Sequence, residues 1–298
     1  AYDRDAAALA GLADSGAAQA AAGAADVARR ASLVLTALPD DRALRAVSEE
    51  LLPALAERGE TGAGAPVHVS CSTVAPATTR ALAEAHAARG VGFVSAPVFA
   101  RPDGMRRGEA TIPVSGPAWA KARAVPVLEK TASGVHDFGE DAGAASVVKL
   151  GGNFLIAAAI EAMAESAALA ESHGVDRERF ITLMASTIFD CLIYRGYGHR
   201  VAARDHFPYP DAHFALDLGS KDVGLVQQAA QEVRCPMPLG SLLRDRFLAA
   251  QSLGRGGLDW SAIALRVSED AGSAEAGAAL ERLMAQVAQD VGKEAKKG

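Results

Sequence analysis

Through the first half of the chain, short apolar runs alternate with longer stretches whose apolar positions recur every three or four residues. Ala6 to Ala22 is alanine-rich and predicts a helix, and Ala31-Ser-Leu-Val-Leu-Thr-Ala-Leu38 is a brief apolar run stopped by Pro39-Asp40-Asp41, as a buried strand would be. The alternation continues with a helix over Asp41 to Arg58, a glycine-rich turn, a strand over Val67 to Cys71, a helix over Ala75 to Gly90 and a strand over Val91 to Ser95. Strands alternating with helices of this length predict a doubly wound α/β sheet. Ala1-Tyr2-Asp3 reads as the end of a preceding strand, so the natural start is expected upstream of Ala1.

After Gly143 the pattern changes. Ala144 to His173 carries few breakers and ends at Gly174, a residue suited to a left-handed stop, which predicts one long helix. From Arg177 to Val287 apolar residues keep helical spacing and strand-like runs are scarce, so the second half is expected to be all helical. The expected division is an α/β domain over 1–140, an all-α domain over 141–290 and a disordered tail over 291–298 with no functional role.

Composition narrows the partners. At 298 residues and 50% hydrophobic, the chain is long enough to bury a sizeable core. A net charge of −6 offers no pull toward nucleic acid or an anionic membrane, which leaves a small molecule as the expected partner. Cys71, Cys191 and Cys235 are widely separated and form no CxxC pair, so a reducing, cytoplasmic compartment is expected. Seven histidines without an HExxH pattern predict no metal site, and no GxSxG elbow supports a serine hydrolase. The most apolar stretch, Leu155 to Ala170, is short and interrupted by Glu161 and Glu165, so no membrane span is expected.

The positions that could carry chemistry are few. Lys149 and Asn153 stand four residues apart on the long helix and so share a face, separated by Gly151 and Gly152. Each helical glycine costs roughly 1 kcal/mol relative to alanine, which is tolerable if a ligand or a neighbouring helix must approach closely. A desolvated lysine exchanges protons with a carbonyl or hydroxyl near neutral pH; the bland alternative is a lysine that snorkels to solvent. Asn153 could hold a substrate oxygen or orient the ammonium. Lys221-Asp222 is a second pair, although most such neighbours are surface charges. Asp3 suits the hydroxyls of an adenosine ribose, whereas Arg4 beside it suits a 2′-phosphate. Ser72-Thr73 could cap a helix or contact a ribose, capping being the more common use.

Several segments in order resemble the β-hydroxyacid dehydrogenase family, which includes 3-hydroxyisobutyrate dehydrogenase and tartronate semialdehyde reductase and has a 6-phosphogluconate dehydrogenase-type NAD-binding domain. They are Tyr2-Asp3-Arg4, Asp26-Val27 to Leu38-Pro39-Asp40, Ser72-Thr73-Val74-Ala75-Pro76-Ala77-Thr78, Ala96-Pro97-Val98, Gly143 through Lys149 to Asn153, and Lys221-Asp222 with Pro236-Met237-Pro238-Leu239. The resemblance implies an α/β Rossmann-type domain followed by an all-α domain, joined by a long interdomain helix, with the active site in the cleft between them. It implies Lys149 as catalytic acid/base, Asn153 at the substrate, Leu38, Pro39 and Thr73 along an NAD or NADP cofactor, and Lys221 near the nicotinamide. It also implies a homodimer built largely through the helical domains. Asp3 tips the cofactor toward NAD.

The departures are specific. The family's first strand and GxGxxG turn would lie before Ala1. Phe99-Ala100-Arg101 stands where Ser-Gly-Gly commonly holds a substrate carboxylate; Phe99 removes a hydroxyl and adds bulk, and Arg101 offers a bidentate contact. Gly152 stands where another Asn is frequent. The expected reaction is hydride transfer between nicotinamide and a small β-hydroxyacid or semialdehyde. One alternative is an imine reductase-like, NADPH-dependent enzyme, opposed by Lys149 but favoured by Phe99 to Arg101 and the aromatics Tyr194, Tyr197, Phe207 and Tyr209. The other is a nucleotide-binding relative without turnover.

Overall fold

The computed structural model describes residues 1–298 except 6, 11–15, 17, 208–213, 274, 280, 284 and 286–298. The expected tail over 291–298 therefore lies outside the described residues, as does Tyr209. The chain divides into two compact units, Ala1–Leu150 and Gly151–Gly298. The division falls inside a helix, because that helix's opening turns bond to the sheet of the first unit.

In the first unit, helix α1 (Ala24–Arg30) leads into strand β1 (Leu33–Thr36), followed by α2 (Asp41–Ala56), β2 (Val67–Ser70), α3 (Pro76–Ala87) and β3 (Gly92–Ser95). The three strands are parallel in the order β1-β2-β3, with Thr36, Ser70 and Ser95 aligned across their C-terminal ends. Every residue of β2 and β3 is buried, the pattern of strands covered on both faces. Next come α4 (Pro102–Arg106), β4 (Ala110–Val114), α5 (Ala118–Leu128) and β5 (Ala132–Asp137), where β4 and β5 form a parallel pair. Antiparallel bridges at Ser95↔Ser115 and Phe99↔Thr111 join the segment after β3 to β4. This layout requires glycine at Gly116: its φ is 137°, and a Cβ there would stand 2.5 Å from the Phe93 carbonyl oxygen.

The N-terminus differs from expectation. Residues 1–3 lie in no strand; the Ala1 ammonium donates to the Gln19 carbonyl at 2.6 Å, and Ala21 N–H donates to the Ala1 carbonyl at 2.8 Å. The Asp3 carboxylate accepts the Asp5 N–H at 2.9 Å, a local turn that competes with extended pairing. Residues 7–10 are helical but 18–22 are not, and the helix that packs is α1, whose Ala24 and Ala28 are buried. Alanine content is a weak prior that tertiary contact overrides.

The second unit is helical. Helix α6 (Ala144–Ser172) starts in the first unit and continues into this one, followed by α7 (Arg177–Ser186), α8 (Leu192–Ala203), α9 (Leu216–Glu232), α10 (Pro238–Ser252) and α11 (Ile263–Asp270). Its core joins Ile160, Met163 and Ala167 of α6 to Tyr197, Leu216, Leu243, Phe247 and Ile263. At 29 residues α6 is long and apolar enough to cross a membrane, which corrects the expectation that this stretch is too short. In this unit it acts as a core helix: its buried Glu161 accepts from Arg246 at 2.6 Å, and Arg246 also pairs with Asp270 at 2.6 Å. Burial raises the Glu161 carboxyl above its ordinary range, opposed by Arg246.

A buried histidine pair locks the sheet to α3. His86 Nδ1 donates to the Leu82 carbonyl at 2.7 Å, which leaves Nε2 of the neutral ring to accept from His68 Nδ1 at 3.0 Å. His68 Nε2 in turn accepts from Thr36 Oγ1 at 2.9 Å. Burial pushes His68 down to about 3, helped by His86, and His86 down to about 4. Both values lie below the unfolded value of 6.5, so the stabilisation is complete above pH 6.5 and is lost as pH falls toward 4. The melting temperature is expected to drop across that window; a constant value from pH 7 down to about 4.5 in a thermal scan would contradict a neutral pair.

Candidate active site

In the first unit Leu38, Pro39 and Thr73 lie in the loops that follow the C-terminal ends of β1 and β2, where ligands bind in open α/β sheets, whereas Asp3 and Arg4 are exposed and lie in no strand. The loops after β1 and β2 are stitched together. Leu38 N–H donates to Ser72 Oγ at 2.9 Å, and Ala75 N–H donates to Asp41 Oδ1 at 3.0 Å, while Asp40 caps α2 through Ala43 N–H at 2.8 Å. Ser72 and Thr73 do not cap α3, contrary to the more common use. The cap position is Ala75 with Pro76 following it, and the buried Ser72 hydroxyl serves the neighbouring loop instead. Leu38 and Thr73 remain partly accessible and Pro39 is exposed, giving this edge an apolar ledge with a hydroxyl beside it.

The start of α6 is anchored on the same sheet. Ser115 Oγ donates to the Ala142 carbonyl at 3.1 Å and accepts Ala145 N–H at 3.0 Å, supplying a partner to a helix-terminal N–H that no earlier turn can satisfy. Ser95 Oγ lies 3.3 Å from Ser146 Oγ. Arg80 grips Asp141 through two hydrogen bonds of 2.9 and 2.8 Å, and Asp141 also accepts Gly143 N–H. The Arg80 bond, then that N–H, holds the Asp141 carboxyl below its ordinary range. A Cβ at Gly143 would stand 2.7 Å from the Arg80 guanidinium carbon, so a larger residue there would displace that flexible side chain.

This anchored turn carries Lys149. Its side chain is 9% exposed, so it does not snorkel to solvent, and its Nζ sits 4.2 Å from the centroid of the Phe99 ring. Phe99 is fixed by paired backbone bonds with Thr111 of 2.9 and 3.1 Å. Ala100 is exposed, Arg101 is partly buried, and the Arg101 carbonyl accepts Met105 N–H of α4 at 2.9 Å.

One turn further along α6, Asn153 belongs to the second unit. Its Nδ2 donates to Asp222 Oδ2 at 2.5 Å, and Lys221 Nζ lies 3.1 Å from Asp222 Oδ1. Asp222 is 1% exposed, so Lys221-Asp222 is not a surface pair. The sequence did contain a signal for this: Asp222 shares a helical face with Gly219, Val223 and Val226, all buried. A Cβ at Gly151 meets nothing within 4 Å among the described residues, so no helix packing accounts for that glycine.

Of the aromatics invoked for a less polar substrate, Tyr194, Tyr197 and Phe207 pack against the core. Tyr197 is buried and meets Trp260 edge-on at 5.8 Å, Phe207 packs against the same cluster, and Tyr194 stacks on Phe189 at 4.8 Å. The three cysteines are free thiols. Among the described residues no group of three or more His, Cys, Asp or Glu side chains could hold a metal ion.

A parallel α/β unit followed by a helical unit defines the fold class. Residues 1–139 match the family model described as the NAD binding domain of 6-phosphogluconate dehydrogenase, and 143–268 match that described as NAD-binding of NADP-dependent 3-hydroxyisobutyrate dehydrogenase. The oxidoreductase YfjR of Bacillus subtilis is 35% identical over 239 residues, 79% of this chain and 80% of that protein. The 3-hydroxyisobutyrate dehydrogenase of Pseudomonas aeruginosa is 35% identical over 206 residues, 67% of this chain and 69% of the relative. The crystal structure of 3-hydroxyisobutyrate dehydrogenase from Salmonella typhimurium superposes with a TM-score of 0.74 at 27% identity, over 88% of each chain. The chain belongs to the β-hydroxyacid dehydrogenase family and is an NAD(P)-dependent dehydrogenase or reductase.

Asp222→Ala removes the acceptor of Asn153 and the counter-charge of Lys221. It should lower stability by about 2–3 kcal/mol, with a smaller loss for Asp222→Asn. Urea denaturation measures this, and equal stability of the alanine variant and the parent would contradict the network.

Proposed function

We propose that the protein transfers a hydride between a nicotinamide cofactor and a small β-hydroxyacid or semialdehyde, with Lys149 as acid/base. The observation that carries this reading is Lys149 itself: a lysine 9% exposed, on a helix whose first turn meets the C-terminal end of β3 through Ser146 and Ser95. In the reductive direction Lys149 Nζ gives a proton to the substrate oxygen as the carbonyl carbon becomes an alcohol. In the oxidative direction the free amine takes that proton back. Asn153, held by Asp222, orients the substrate oxygen, and Phe99, Ala100 and Arg101 contact the rest of the substrate, with Arg101 suited to a carboxylate.

The residues of the first unit fit a dinucleotide. Leu38 and Pro39 offer an apolar ledge to a flat ring and Thr73 a hydroxyl to its ribose, with Asp3 and Arg4 assigned to the adenosine end and Lys221 to the nicotinamide end. When bound, the nicotinamide supplies or accepts the hydride at C4. Asp3 favours NAD, since its carboxylate repels a 2′-phosphate. Exposed apolar side chains on α6, Leu155 at 67% and Leu169 at 64%, support a homodimer through the helical unit. Three free thiols support a cytoplasmic setting.

The test is oxidation of NADH and NADPH against semialdehydes, 2-oxoacids and cyclic imines, with Lys149→Ala as control. Turnover of a carboxylate-bearing aldehyde, reduced about 10²- to 10⁴-fold in the variant, is expected. Turnover of imines alone, or an undiminished variant, would contradict the proposed chemistry.

A further inference from the structure

We infer that Phe99 is a positioning residue for Lys149, its ring face serving as the seat that keeps the ammonium in place and protonated. This rests on the reading of Lys149 as the acid/base and adds a role that Phe99 performs through the lysine.

The contact is built from two sides. Phe99 lies in the antiparallel bridge to Thr111, with its N–H donating at 2.9 Å and its carbonyl accepting at 3.1 Å, so its backbone has little freedom. Lys149 rides on the turn that Ser115 and Ser146 tie to the sheet. The separation of 4.2 Å lies well inside the roughly 6 Å range over which an aromatic face attracts a cation. Lys149 is buried, so water competes weakly for that ammonium, and the attraction is stronger than at an exposed site.

The ring discriminates between protonation states. Its negative face attracts the ammonium charge and has no comparable attraction for the neutral amine. Burial alone favours the amine, so the aromatic face opposes the tendency that burial imposes. Of the charged groups on the neighbouring segments, Asp141 is bound by Arg80, and Arg101 is a cation on the loop that carries Phe99. An aliphatic side chain of similar bulk at position 99 would fill the same space without this preference.

The test places phenylalanines of increasing ring fluorination at position 99, which weakens the negative face at nearly constant size, together with Phe99→Leu and Phe99→Tyr. Two readouts are taken: the 13Cε titration of Lys149 in the protein without cofactor, and the pH dependence of kcat/KM for aldehyde reduction. The midpoint of both is expected to fall stepwise with fluorination, by about half to one and a half pH units at the extreme, with Phe99→Tyr near the parent. Superimposable titrations across the fluorinated series would overturn the inference, and that series stands even if Phe99→Leu fails to fold. An inactive Lys149→Ala with no fluorination trend would defeat only this inference, whereas a fully active Lys149→Ala would defeat the acid/base reading beneath it.

Discussion

The Ser115 hydroxyl makes two of the bonds that tie α6 to the sheet. Ser115 Oγ donates to the Ala142 carbonyl and accepts Ala145 N–H, fixing where α6 begins relative to the sheet. Ser115 is itself a sheet residue, bridged to Ser95, and Gly116 follows it in a conformation only glycine tolerates. From that point the geometry is determined by helix periodicity. Lys149 sits one turn past the anchor and Asn153 one turn beyond Lys149, so the backbone positions from which both side chains project are set by that anchored turn.

Two chains of polar groups run from this helix into the second unit. Asn153, Asp222 and Lys221 form one short chain, and Glu161, Arg246 and Asp270 another. Such groups add little net stability over apolar packing, but removing one member strands the others, which makes the arrangement specific. The same logic holds for His68 and His86, which are neutral, buried and oriented in one direction by the Leu82 carbonyl.

Much of this was legible from the chain. The periodicity placed α6 over Ala144 to His173 against an observed Ala144–Ser172, because a long uninterrupted period ending at glycine is a strong signal. The same period put Lys149 and Asn153 on one face of that helix, while the roles expected of them came from the family resemblance. Strands β4 and β5 were not, since Pro113 and Gly134 interrupt runs already short. Asp222 was misjudged because its neighbour Lys221 suggested a surface pair, whereas the Asp222 side chain is buried and Lys221 pairs with it at 3.1 Å. The contact between Phe99 and Lys149 joins positions 50 residues apart, and no local pattern encodes it.

The most direct test of the account leaves Lys149 untouched and loosens its support. In Ser115→Ala, the single-turnover rate of hydride transfer should fall about tenfold or more while NAD(P)H affinity stays within a few-fold, as expected when a reacting group loses its alignment. A hydride-transfer rate equal to the parent's, in a variant that is folded and binds cofactor normally, would contradict the claim that the sheet-anchored turn of α6 positions the lysine.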